Sequence, residues 1–328
     1  MAAKSNGNRE NNDHASKKRA KMREFADMVR EAVEARIESG SRVEINEVMK
    51  NNNVTEIGIS ITQPGVNVAP NIYLEGYYQM FLKGTTVFEI ADQILERSEK
   101  ACDDLNFDTE AFTDFTKASK RIVFKLVNKK MNEKLLESIP YTDYMDLAMV
   151  YYYMLPETWQ EKGSGECGAT ILIQNSHLKL WKVKKEEVEQ VAKENTPKLL
   201  PAAIIGMTQM LREMLGEDKF PEELDAESLP MYILSNEKRQ NGAAAMAYPE
   251  TIGNFANACG KNVYIIPSSV HELILVPETG MEKDLNEMVC EVNRTQLDPK
   301  DVLSDHVYYY DRQEKQLTGL LRQVTSYC

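Results

Sequence analysis

Between Leu229 and Pro277 the chain reads LPMYILSNEKRQNGAAAMAYPETIGNFANACGKNVYIIPSSVHELILVP, and groups able to do chemistry are densest here. Within PSSVHE, residues Ser268, Ser269, His271 and Glu272 supply the hydroxyl, imidazole and carboxylate that nucleophilic hydrolysis combines. Their closeness counts against a triad. Neighbouring side chains on an extended segment point to opposite faces, and the chain has no GxSxG elbow. A hairpin turn after Pro267, with the serine hydroxyls bonded to local backbone, is the simpler expectation. A hydrolase built on the His271/Glu272 turn is the alternative.

Metal chemistry would need His177, His271 and His306 to converge, or His271 and His306 to be joined by Asp305 or Glu272. No HExxH or HxH spacing is present, so surface or capping histidines are expected, and no metal or other cofactor. Upstream, Asn236, Lys238, Arg239 and Asn241 lie between an apolar run and the alanines 243 to 245. A strand, a polar loop and a helix start form the geometry that holds anions, but GxGxxG and GxxxxGK[ST] are absent. A plain helix cap is favoured. The five cysteines are odd in number and contain no CxxC pair, which argues against a disulfide framework or structural zinc. Cys167, in the loop GSGECG, is a conceivable nucleophile with no helix behind it to activate it. The tyrosines at 151–153 and 308–310 resemble a stacking platform, but their neighbours are Asp146, Asp305 and Asp311 rather than basic residues. Cross-strand packing explains them better.

The elements that must position these groups follow from periodicity. Phe25, Val29, Val33 and Ile37 recur every four residues, with Met28 and Ala32 widening the face, so a helix is expected over Arg23 to Glu38. Val43, Ile45 and Val48 form a strand, Asn51-Asn52-Asn53 a turn, and Ile57, Ile59 and Ile61 a period-2 strand. One more strand is expected through Val66, Val68, Ile72 and Leu74. Thr86 and Glu89 have the spacing of a capping box ahead of a helix through Ile90, Ile94 and Leu95.

Strands are expected over Arg121 to Val127 and Asp146 to Met154, with a short helix over Lys129 to Glu137 between them. A hairpin is expected from Ala169–Gln174 and Leu178–Val183. A helix over Lys184 to Lys193 should break at Asn195-Thr196-Pro197, with another over Ile204 to Leu215. The opening segment reads as a β-α-β-β unit, with the alanine-rich helix broken at Pro249 and stopped at Gly260. A helix through Met281, Leu285, Met288, Val289 and Val292 follows, then a hairpin of Val307–Tyr310 and Gln316–Leu320. Short connections between neighbouring strands require antiparallel pairing. The expected class is therefore α+β: mainly antiparallel short-stranded sheets with packed helices, including the C-terminal β-α-β-β unit.

Composition agrees with a globular chain, at 42% apolar and 27% charged residues, and no apolar run reaches the roughly 18–20 residues of a membrane span. No signal-peptide core is present, so a cytoplasmic setting without membrane contact is expected. Residues 1–23 carry seven Lys and Arg against Glu10 and Asp13, a charge of about +5 that leaves about −17 for the rest of a chain totalling −12. Residues 1–22 read as a disordered basic arm, and 23–328 as the globular region, with possible subdomains at about 23–216 and 229–328. An acidic body repels phosphates, so nucleic acid would have to be met through the arm, by Lys17, Lys18 and Arg19.

The combination of KENTPKLLP (193–201), YILSN (232–236), NGAAAMAYPETIGNFANACGKNVYIIPSSVHELILVP (241–277) and EVNRTQ with VLSDHVYYYDR (291–312) resembles an uncharacterised bacterial family of the domain-of-unknown-function kind. More loosely it is similar to a second uncharacterised family of low-GC Gram-positive bacteria. The resemblance implies a shared α+β scaffold, a bacterial cytosolic setting and an association with gut anaerobes and mobile elements. Neither family has an established activity, so no catalytic residue carries over. The expectation is a binding or accessory protein with a protein partner. A hydrolase or metal-dependent enzyme at His271/Glu272 and a nucleic-acid-associated factor acting through the arm are the alternatives.

Overall fold

The computed structural model describes residues 4–64, 69, 71–103, 109–155, 170–216, 231–278 and 285–319. The GSGECG loop with Cys167, Val66 and Val68, and the acidic stretch 217–228 lie outside them, as do the side chains of His14, Lys18 and Cys102. Contacts divide the chain into two compact units. The first comprises Met1–Lys50 and Val54–Asp108, the second Asn51–Asn53 and Thr109–Cys328. This division falls after Asp108.

In the first unit, helix α1 (Lys4–Glu34) is followed by the antiparallel strands β1 (Arg42–Met49), β2 (Thr55–Thr62) and β3 (Ile72–Tyr73). Helices α2 (Glu75–Leu82) and α3 (Val87–Asp103) complete it. The repeat Phe25, Val29, Val33 meets the alternating Ile57, Ile59, Ile61 and the α3 face Ile90, Ala91, Ile94 in one buried core. Met28 falls outside it and is exposed. The capping box forms as its spacing requires: Glu89 N–H donates to Thr86 Oγ1 at 3.3 Å, and Thr86 N–H to Glu89 Oε2 at 2.9 Å. The Thr86 N–H and the Thr86 hydroxyl, which donates to the same Oε2 at 2.7 Å, hold the Glu89 carboxyl below its usual range.

Helix α1 begins at Lys4, within the stretch 1–22 read from the sequence as a basic arm. The stretch Ala15 to Met22 is made almost wholly of strong helix formers. Arg19 and Arg23 both ion-pair with Glu47 on β1, Arg23 at 2.9 Å.

The second unit opens with α4 (Thr109–Thr113) and α5 (Phe115–Ala118). Next come β4 (Ile122–Asn128), α6 (Glu133–Leu136), β5 (Tyr141–Tyr144), β6 (Leu147–Met154) and β7 (Thr170–Leu172). Strand β6 pairs antiparallel with β4, β5 and β7. Two expectations fail here. In the stretch Leu178–Val183, expected as a strand, Leu178–Trp181 belong to α7 (Asn175–Trp181), which is capped by Gln174 N–H donating to His177 Nδ1 at 3.1 Å, and Lys182 is its left-handed C-cap. Trp181 fixes its packing by donating from Nε1 to Phe112 O at 2.7 Å. Helix α8 (Lys185–Leu199) does not break before Pro197 but runs through it. Pro197 removes one N–H near the helix end, while Asn195 Nδ2 donates to Ser119 O at 2.6 Å and Thr196 Oγ1 accepts from Phe124 N–H at 3.0 Å. These bonds tie the last turn of α8 to β4 and to the turn just before it.

The third correction concerns the expected helix Ile204–Leu215. Its first residues are strand β8 (Ala202–Gly206), and only Met207–Leu215 is helix (α9). Then follow β9 (Tyr232–Asn236), α10 (Thr251–Cys259), β10 (Val263–Pro267), β11 (Leu273–Pro277), α11 (Leu285–Thr295), β12 (Tyr308–Asp311) and β13 (Gln316–Gly319). Strands β8 to β13 form one antiparallel sheet in the order β13-β12-β10-β11-β9-β8. The architecture is α+β, as the pattern of elements implied. The alanine-rich segment is not an α-helix: Gly242–Ala247 is a 3-10 turn, buried from Gly242 to Met246. Among the described residues no helix is long and apolar enough to cross a membrane.

Candidate functional site

Two sequence candidates far apart in the chain meet in the second unit. The β9–α10 connection carries Asn241, and the β10–β11 turn carries His271. Asn241 N–H donates to His271 Nδ1 at 3.2 Å. On the other side of the ring, His271 Nε2 lies 3.5 Å from Asp301 Oδ1. The imidazole is thus held between a main-chain donor and a carboxylate, with about a third of its side chain (37%) open to solvent. An N–H pointing at Nδ1 requires that nitrogen to be unprotonated, which puts the proton of the neutral ring on Nε2, facing Asp301.

Backbone geometry builds this junction. Arg239 and Asn241 sit in the left-handed region at φ 52 and 51, and Asn241 is a residue type that tolerates it. Asn236, fully buried, staples the loop: its Nδ2 donates to Gln240 O at 2.8 Å, and its Oδ1 accepts from Gln240 N–H at 3.3 Å. Ser235 Oγ donates to His271 O at 2.8 Å. Gly242 lets the two segments touch, since a Cβ there would lie 2.0 Å from Ser235 Oγ and 2.6 Å from His271 O.

Asp301 ends a 3-10 turn, Pro299–Asp301, whose N-cap Asp298 accepts from Lys300 N–H at 3.1 Å. Asparagines hold this turn in place. Asn52 Nδ2 donates to Pro299 O at 2.8 Å and Val302 O at 2.7 Å, Asn51 Nδ2 donates to Lys300 O at 2.6 Å, and Asn52 N–H donates to Asn132 Oδ1 at 2.8 Å. Asn52 is left-handed at φ 58. Sequence reasoning missed Asp301, Asn132 and this role for Asn51 and Asn52. The only signal was the pair Asp298-Pro299, which marks a turn but not what the turn faces.

The other candidates are placed as follows. Ser268 Oγ donates to Glu272 Oε1 at 3.4 Å, and Ser269 Oγ accepts from His271 N–H at 3.0 Å, so both hydroxyls serve the turn. Arg239 pairs with Glu213 at 3.3 Å. His306 bonds through its backbone N–H to Ser304 Oγ at 3.1 Å. No group of three or more His, Cys, Asp or Glu side chains fit to hold a metal occurs among the described residues. In the first unit Lys17 is exposed and Arg19 is engaged by Glu47. A groove of about 390 Å³ in that unit is lined by Arg23, Arg30, Glu44, Asn46 and Glu47 among others, and holds none of the sequence candidates.

Half-buried carboxylate Asp146 anchors a separate cluster in the second unit, where Tyr308 OH and Ser304 Oγ each donate to it at 2.7 Å. Burial and the Asp146 charge push the Tyr308 phenol far up. Tyr144, whose OH donates to Met246 O at 3.2 Å, is pushed up to about 12 by burial. Tyr309 and Tyr264 both donate to Glu278, and their rings lie 5.0 Å apart, so Tyr309 packs across the sheet against its register partner on β10.

The fold and the site define an α+β protein with a loop-built His–Asp pair. Residues 22–312 match the model of DUF5688, a family of unknown function, and the chain belongs to that family. The match begins at Met22, the first buried side chain described on α1. No curated protein and no solved structure matches the chain.

Proposed function

We propose that this protein acts by binding, with the loop cluster around His271 as a preorganised recognition surface rather than a catalytic centre. The engagement of the imidazole carries this reading. Nδ1 accepts from Asn241 N–H, Nε2 faces Asp301, and the Ser268 and Ser269 hydroxyls are bonded elsewhere. A general base must reach the proton it removes, and among the described residues neither ring nitrogen is bonded to a hydroxyl. The charge of about −17 carried by the residues after 23 favours a protein partner with a basic surface. The lack of a long apolar helix among the described residues supports a cytoplasmic setting, and the sequence resemblance supports a bacterial accessory role linked to mobile elements.

Affinity capture from the native host tests this with wild type, His271→Ala and Asp301→Asn. The expected result is a partner retained by wild type and weakened at least about tenfold by either variant, about 1.4 kcal/mol. Ester, amide or phosphoester turnover that disappears in His271→Ala would refute the proposal.

One observation favours a second reading. The His271–Asp301 pair is partly open to solvent, 37% and 31% at the two side chains, and an imidazole oriented by a carboxylate is the core of a hydrolytic base. That reading requires a ligand to displace Asn241 N–H from Nδ1, which the same turnover assay would reveal.

A further inference from the structure

Among the described residues, strand β8 is one edge of the six-stranded sheet and pairs with β9 alone. Two backbone bonds beyond its ends fix which of its groups face outward. Glu237 N–H donates to Pro201 O at 3.0 Å, and Met207 N–H donates to Met231 O at 2.9 Å. Bonded pairs in an antiparallel ladder recur at every second residue. Ala203 and Ile205 therefore turn their N–H and C=O toward Ser235 and Ile233, their partners on β9. Ala202, Ile204 and Gly206 turn theirs to the open edge.

Edge strands usually carry a charge, an internal proline or a bulge that prevents further pairing. β8 has none of these, and residues 199–207, LLPAAIIGM, are uncharged in a chain of net charge −12. Ile204 on the strand is a large apolar side chain left 37% exposed, and Leu199, shortly before the strand, is 40% exposed. An outward row of alternating donors and acceptors is matched by another extended strand.

A second copy of this chain fits the edge best. Antiparallel self-pairing about Ile204 sets Ala202 opposite Gly206 and Ala203 opposite Ile205, with no like charges opposed. An acidic chain meets its own copy at least electrostatic cost along such a neutral stretch. We propose that the protein forms a two-fold dimer by β8–β8 pairing, which joins the two six-stranded sheets into one. This is independent of the reading of His271.

Sedimentation equilibrium on the full chain tests the proposal across a range of concentrations, with amide hydrogen exchange alongside. Wild type should reach twice the 37.4 kDa chain mass, and the Ile204 amide should gain protection as the dimer forms. Ile204→Lys sets two like charges at the two-fold axis. Ile204→Pro removes the outward N–H but leaves the inward-facing bonds of Ala203 and Ile205 intact. Both variants should stay monomeric with the circular dichroism of wild type. A wild type that is monomeric throughout overturns the proposal. So does a dimer that survives both substitutions, or an Ile204 amide already protected in the monomer, since the chain's own residues would then cover the edge.

Discussion

Replacing Gly242 with alanine should unfold the second unit at a markedly lower denaturant concentration. The added Cβ would lie 2.0 Å from Ser235 Oγ, 2.6 Å from His271 O and 2.7 Å from Asn236 N. Two of these are main-chain atoms of β9 and the β10–β11 turn, so no rotamer change relieves the contact. Forcing extra volume into a packed site costs about 1–3 kcal/mol. Pushing Ser235 away from His271 O, a bond of 2.8 Å, removes about 1 kcal/mol more. The expected loss is therefore about 2–4 kcal/mol, a large share of the roughly 5–15 kcal/mol typical of a folded domain. Gly76 is the control. It lies in α2, where an added Cβ meets nothing within 4 Å, so Gly76→Ala should stabilise by about 0.5–1 kcal/mol. Trp181 is buried in the second unit, so urea titration followed by tryptophan fluorescence reads Gly242→Ala, and circular dichroism reads Gly76→Ala. A Gly242→Ala protein with the wild-type midpoint and slope would refute the claim that backbone contact at this glycine holds the His271 turn.

Burial lowers the pKa of His177, whose Nδ1 caps α7 only while unprotonated. The unfolded chain thus binds the proton more readily, and stability should fall as pH drops through the ordinary imidazole value of about 6.5. NMR titration should place His177 below that value, and His177→Gln should flatten the stability profile between about pH 7 and 5. Asn52→Ala orphans the carbonyls of Pro299 and Val302 and strains a left-handed residue. It should cost about 2–4 kcal/mol in urea unfolding. Tyr308→Phe removes a 2.7 Å bond to the Asp146 carboxylate from a fully buried ring. Thermal unfolding should register a loss of about 1–2 kcal/mol, and an unchanged midpoint would mean that water replaces the phenol.

Features legible in the sequence were those carried by spacing along a single element. Thr86 and Glu89 define a helix start, because a cap is formed by residues three apart. Ile57, Ile59 and Ile61 define a strand, and Phe25, Val29 and Val33 a helix face, because one period places each set on one side. The mistaken segments are those whose state was decided by distant partners. Lys179 between Leu178 and Leu180 looks like strand alternation, yet the bond from Trp181 to Phe112 and the His177 cap make the segment helical. Ala202–Gly206 continues an apolar run that suits a helix, yet pairing with β9 makes it a strand.

The same division runs through the candidate site. Composition and local pattern alone determined the α+β class, the acidic body, and His271 and Asn241 as the positions where chemistry was concentrated. Tertiary structure alone decided that these two residues touch, that Asp301 is the carboxylate beside the ring, and that the serines of PSSVHE bond within their own turn, Ser268 to the Glu272 carboxylate and Ser269 to the His271 N–H. The physical reason is range: periodicity and capping act over a few residues, whereas the bond from Asn241 to His271 spans thirty positions and exists only because β9, β10 and β11 share a sheet.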